Sequence, residues 1–161
     1  MVGRLLAALV AALVLAPGVA HADPRAFRIG AKPVWWVMGG VTGGGTVTVD
    51  DRGGFVGGEL SVSRLRQGTY VGVYADGYRD FGIDGTYTTA GVEVGRRFFG
   101  FDAGGALRFA GDGAEPGATA RIYATVSVLS IFVRYAYFDS DENDHVVQVG
   151  ATFKLPLVSP R

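Results

Sequence analysis

Seven charged side chains recur at one parity of a sequence that otherwise alternates apolar residues: Glu59, Glu93, Asp102, Arg108, Arg121, Arg134 and Lys154. Their neighbours two positions away are mostly small or hydroxylic, as in Gly91-x-Glu93-x-Gly95 and Arg121-x-Tyr123-x-Thr125. Charges of both signs on a face built of Gly, Ser and Thr suit the cramped inside of a small barrel, where they must be paired. The set therefore predicts a salt-bridge network in a lumen filled by its own side chains. The same residues could instead line a narrow pore, or form a carboxylate-rich catalytic interior.

Two further groups have the residue types for chemistry. His145, with Ser140 and Asp144 nearby, offers the parts of an acid–histidine–serine arrangement, but a histidine among loop carboxylates is ordinarily a solvated one, and no enzyme is expected. Asp139, Asp141, Asn143 and Asp144 fall in a run whose alternate oxygens resemble the start of a calcium loop. Its sixth position is Asp144 where glycine is needed, and its twelfth is Gly150 where glutamate is needed. Only a weak site for a divalent cation, bridging to lipopolysaccharide phosphates, is expected there. Gly43-Gly44-Gly45 opens no helix and so cradles no phosphate.

The elements that must carry these residues are strands. Period-two segments run from Pro33 to Thr42, Phe55 to Arg66, Thr69 to Ala75, Thr86 to Arg96, Phe99 to Ala110, Ala118 to Val128, Ile131 to Phe138 and Val146 to Leu155. Two-residue turns are predicted at Gln67-Gly68, Arg97-Phe98 and Leu129-Ser130, with Arg66 facing Thr69, Arg96 facing Phe99 and Val128 facing Ile131. Longer polar connections lie at 43–54, 76–85, 111–117 and 139–145. Tight turns alternating with longer loops describe an up-and-down antiparallel meander of eight strands.

Ahead of them, Arg4, the apolar run Leu5–Leu15, Pro17-Gly18 and Ala20-His21-Ala22 form a secretory signal peptide at 1–22. An N-terminal segment at 23–32, a barrel at 33–155 and a tail at 156–161 follow. Without Arg4, 14 of the 15 basic residues remain against 15 acidic ones, so no basic bias points to nucleic acid. With no cysteine, disulfides and thiolate chemistry are excluded, and nothing implies a cofactor.

Alternation fits two objects: a soluble carrier with the apolar face inward, or a membrane barrel with that face toward lipid. The polar face carries few of the many Lys and Glu that a soluble exterior needs. Aromatics gather near both strand ends, with Trp35, Trp36, Phe99 and Phe153 toward the turns and Phe109, Tyr137 and Phe138 toward the loops. The four predicted loops hold eleven acidic residues, whereas Arg64, Arg66, Arg96 and Arg97 cluster at the turn end. Arg64 and Arg96 fall on the lipid face, where only a position near the interface is tolerable. The first strand, with Trp35, Trp36 and Met38, does not declare its face.

From residues 33 to 155 the chain resembles the small eight-stranded outer-membrane barrels of the OmpA transmembrane-domain and OmpX kind. The likeness rests on signal peptide, strand number and loop rhythm rather than on a motif. It implies a transmembrane β-barrel in the outer membrane, among its lipids and lipopolysaccharide, with a structural or surface-interaction role; the sequence leaves the oligomeric state open, with a monomer favoured. A strand ending in an aromatic residue is usual in such barrels, and here Phe153 is followed by eight more residues.

Overall fold

The computed structural model describes residues 33–158 apart from 49, 112 and 140–143. The segments assigned to signal peptide and N-terminal stretch lie outside the described residues, as do Ser140, Asp141 and Asn143. The chain is all-β: β1 (Val34–Val47), β2 (Arg52–Arg66), β3 (Thr69–Asp80), β4 (Gly85–Arg96), β5 (Phe99–Ala110), β6 (Gly113–Val126), β7 (Leu129–Phe138) and β8 (His145–Val158). Each strand pairs antiparallel with the next, and β1 pairs with β8, closing an eight-stranded up-and-down barrel. Closure leaves no sheet edge unpaired.

The turn at Gln67-Gly68 has φ of 52° and 78°, as a type I′ hairpin requires, and it pairs Arg66 with Thr69 as anticipated. Arg96 likewise pairs with Phe99. The third tight turn differs from expectation. It lies at Ser127-Val128 rather than Leu129-Ser130, with Val126 opposite Leu129. Ser127 takes φ 58°, and the inward hydroxyls of Thr125 and Ser130 meet at 2.7 Å above it. The displacement is an even number of residues, so every side chain keeps its predicted face.

The loops are shorter than predicted because the ladders continue past the apolar alternation. Gly43-Gly44-Gly45 belongs to β1, not to a loop. A Cβ at Gly44 would lie 2.2 Å from the Val149 carbonyl oxygen, so glycine is what lets β1 and β8 approach there. At the far end, β8 runs on through Pro156 and Leu157 to Val158 and passes an irregularity in its pairing with β1. What read as the start of a tail is strand.

The apolar residues face out. Val41, Leu60, Val71, Val92, Phe99 and Ile122 are all more than half exposed, whereas the largest fully buried side chains include Arg134, Tyr87, Phe138 and Gln148. A soluble carrier with an apolar pocket has the opposite arrangement. The first strand now declares itself: Thr42 and Thr46 are buried inward, while Trp35, Val41 and Val47 face out. Of the aromatics assigned to the two girdles, Trp35, Phe99, Phe153, Phe109 and Tyr137 are exposed outside. Phe138 is not. It is completely buried in the lumen against Tyr87, and Trp36 is half-buried on the inward parity of β1.

Candidate functional site: the charged lumen

The inward rungs of the sheet place like charges side by side. Glu59 of β2 sits directly opposite Asp76 of β3, Glu93 of β4 opposite Asp102 of β5, and Arg121 of β6 opposite Arg134 of β7. Like charges facing each other across strands destabilise a sheet. The compensation comes partly from across the lumen and partly from the adjacent rung, since Asp102 of β5 is also the register partner of Arg121 of β6. Arg121 donates from Nη1 to Glu59 Oε2 and from Nε to Asp102 Oδ2, both at 2.6 Å. Arg134 pairs with Asp76, whose other oxygen accepts a hydrogen bond from Thr89 Oγ1 at 2.6 Å. Lys154 of β8 pairs with Glu59 and lies 3.7 Å from Glu93, and Glu93 accepts from the Ser63 hydroxyl. The ion pairs thus strap β6, β7 and β8 to β2, β3 and β4 across the barrel.

Aromatic rings fill the space between these groups. The Arg121 guanidinium lies over Tyr74, Tyr123 and Phe132, and that of Arg134 over Tyr78 and Phe132, all within 5.5 Å of the ring centroids. Toward the loop end Tyr78 and Tyr87 stack at 4.9 Å, with Phe138 edge-on to Tyr87 and Arg108 over Phe138. Near the turns, the hydroxyl of Tyr70 donates to that of Tyr123 at 2.7 Å. Desolvated cation–π contacts of this kind add roughly 2 kcal/mol or more each. The recess between Arg121, Tyr123, Ser130, Phe132, Thr152 and Lys154 has no room for a water-sized sphere.

All seven residues read as lumenal do point inward, and six of them are buried, Lys154 being partly so. They do not form one network. Glu59, Glu93, Asp102, Arg121 and Lys154 are joined, Arg134 pairs separately with Asp76, and Arg108 pairs with Glu115 at the loop end. Three further carboxylates face the lumen from stretches expected to be loops. Asp76 and Asp80 were assigned to an external loop, yet both lie in β3 and are buried. Asp80 Oδ1 accepts hydrogen bonds from the backbone N–H groups of Gly82 (2.9 Å) and Ile83 (3.3 Å). Glu115, also placed in a loop, is in β6. Parity held the signal: Gly72, Tyr74, Asp76, Tyr78 and Asp80 continue one inward face, and so do Glu115, Gly117, Thr119 and Arg121.

His145 is on the outer face. Its Nδ1 lies 2.6 Å from the Tyr135 hydroxyl and its Nε2 lies 3.5 Å from Asp144 Oδ2. Asp139 and Asp144, the described half of the weak cation site, are held by backbone bonds, Asp139 N–H to Pro116 and Asp144 C=O from Phe138. Among the described residues no cluster of ligands suits a metal ion.

No protein-family model and no curated protein matches the chain. Among solved structures it is similar to the crystal structure of Neisserial surface protein A, with a TM-score of 0.49, 11% identity, and coverage of 77% of this chain and 98% of that one.

Proposed function

We propose that the chain is an exported protein that spans a bacterial outer membrane as a closed barrel, with a structural or surface-interaction role and no catalytic activity. The observation that carries this reading is the inversion of polarity: paired charges are buried while Val, Leu, Ile and Phe are exposed around the wall. In water such a surface would be an aggregation liability, whereas in lipid it is the solvated state. The dimensions agree. Phe99 and Phe109, both outward on β5, are ten residues apart. At about 3.4 Å per residue and a tilt of about 40°, they bracket roughly 26 Å of height, close to the roughly 25 Å apolar band of outer-membrane barrels. Acidic side chains in the connections, including Asp50, Asp51, Asp84 and Asp139, mark the opposite end from the tight turns. The loop end would then face outward, and its carboxylates would approach lipopolysaccharide phosphates through divalent cations.

The test is fractionation of natively expressed protein, with unboiled and boiled samples compared on a denaturing gel. Recovery in outer membranes with heat-dependent mobility is expected. Recovery in the soluble fraction without detergent would overturn the reading. A packed, cross-braced lumen also predicts no steady ion current when the purified barrel is inserted in a planar bilayer. Sustained single-channel current would replace the structural role with that of a pore.

A further inference from the structure

We propose that the turn end of the barrel is a binding arc for anionic phospholipid headgroups, formed by Arg64, Arg66, Arg96 and Arg97; this rests on the barrel spanning a membrane. Register puts Arg66, Thr69, Arg96 and Phe99 side by side in one rung, on consecutive strands β2 to β5. All four point outward by parity, and Phe99 marks the lower edge of the apolar band. Arg64 lies one outward position further in, paired with Trp35 on one side and Val71 on the other. Arg97 occupies the β4–β5 turn, which is fastened to the β2–β3 turn by its N–H donating to Gly68 C=O at 2.7 Å. Two neighbouring hairpins thus present four exposed guanidiniums on a single arc.

No described residue neutralises that arc. Among the described residues none of these arginines is in an ion pair, and no described acidic side chain faces outward at this end. Simple solvation accounts for Arg66 and Arg97, but not for Arg64. Its backbone lies about 5 Å inside the band, from two residues of rise at the same tilt, so its side chain must extend back to the interface. A phosphodiester at that level gives the guanidinium a bidentate acceptor. Trp35 (60% exposed) and Phe99 (68%) flank the arc with rings suited to the glycerol and upper acyl region. The partner that combines diffuse negative charge with apolar chains, at this depth, is an anionic phospholipid of the leaflet on the turn side. The acidic loop end offers such a lipid nothing.

The experiment inserts the mature protein into phosphatidylcholine vesicles carrying a minor fraction of brominated lipid, either phosphatidylglycerol or phosphatidylcholine of the same chains, and reads quenching of Trp35 and Trp36. Relative affinity for the anionic lipid should exceed fivefold, since each arginine near an anionic surface contributes roughly that factor. It should fall toward unity in the R64Q/R66Q/R96Q/R97Q variant and at high salt. If that variant does not fold, R66Q/R97Q, whose residues lie at or beyond the band's edge, should still reduce the preference severalfold. Equal quenching by both lipids in wild type, or a preference that survives the substitutions, overturns the proposal. Abolition of the preference by soluble glycerophosphoglycerol would also overturn it, making the arc a site for free phosphodiesters. Failure of wild type to insert at all, with no heat-dependent gel shift, sinks the membrane reading instead.

Discussion

In mid-lumen, Arg121 and Arg134 reach Glu59 and Asp76 on the far wall, 62 and 58 positions distant in the chain, although Arg121 also holds its own register partner Asp102. At the loop end, Arg108 pairs with Glu115, its immediate register partner in the next strand and only seven residues away. The second pair belongs to a hairpin and can form as soon as β5 meets β6. The first two cannot form until the sheet has curled shut. Before that, Glu59 and Asp76 repel each other, and Arg121 and Arg134 do the same. The open sheet is therefore penalised and the closed one relieved, so the charge pattern selects closure as well as tolerating it. A buried ion pair is weak evidence for stability compared with an apolar filling of equal volume. It is a strong discriminator between two arrangements of one chain when only one satisfies it.

The largest predicted effect is at Arg121. Replacing it with alanine strands Asp102 and leaves Glu59 with Lys154 alone, and should cost about 3–5 kcal/mol in denaturant unfolding followed by Trp fluorescence in lipid. Joining R121M to E59Q and D102N should recover most of the loss, because no buried charge is then left without a counterpart. Arg134→Ala should come next, at about 3 kcal/mol or somewhat less. It strands only Asp76, which keeps the Thr89 hydroxyl, and it removes the repulsion that Arg134 exerts on Arg121. A double-mutant cycle between Asp76 and Arg134 should return a coupling above about 1 kcal/mol. A coupling near zero would break the contrast between braces and hairpin pairs.

The strand order and the two faces could be read from alternation because a wall only one residue thick separates a packed polar lumen from an apolar outer surface. An even displacement of a turn, such as that to Ser127-Val128, leaves this signal intact, which is why the face of Ile131 and Val133 survived an error in the register of β7. Strand ends were read less well. Beyond the apolar band the outward residues turn polar, as with Thr86 and Arg79, so the period-two contrast fades while the hydrogen-bonded ladder continues. Asp76 and Asp80 were lost for that reason, and a carboxylate in a glycine-rich stretch looks like a loop. Which lumenal charges pair could not be read at all. Pairing across the barrel depends on the stagger between distant strands, and the local sequence carries no trace of it.

The smallest predicted effect belongs to the hairpin pair, and it sharpens the comparison most. Glu115 retains contact with water, its side chain 29% exposed against 4% for Arg108, so a carboxylate deprived of its partner can be hydrated there. Arg108→Met should then cost about 1 kcal/mol, in the range of partly exposed pairs, and the methionine can still cover the Phe138 ring. The salt dependence should separate the two regions further. Raising ionic strength should narrow the stability gap between wild type and R108M, because ions reach the mouth, and leave the gap for R121A unchanged, because they do not reach mid-lumen. If R108M proved as costly as R121A, reach across the barrel would not be what gives the braces their strength. Burial of any cation in this lumen would suffice, and the alternation of like-charged neighbours would lose its role in selecting the closed form.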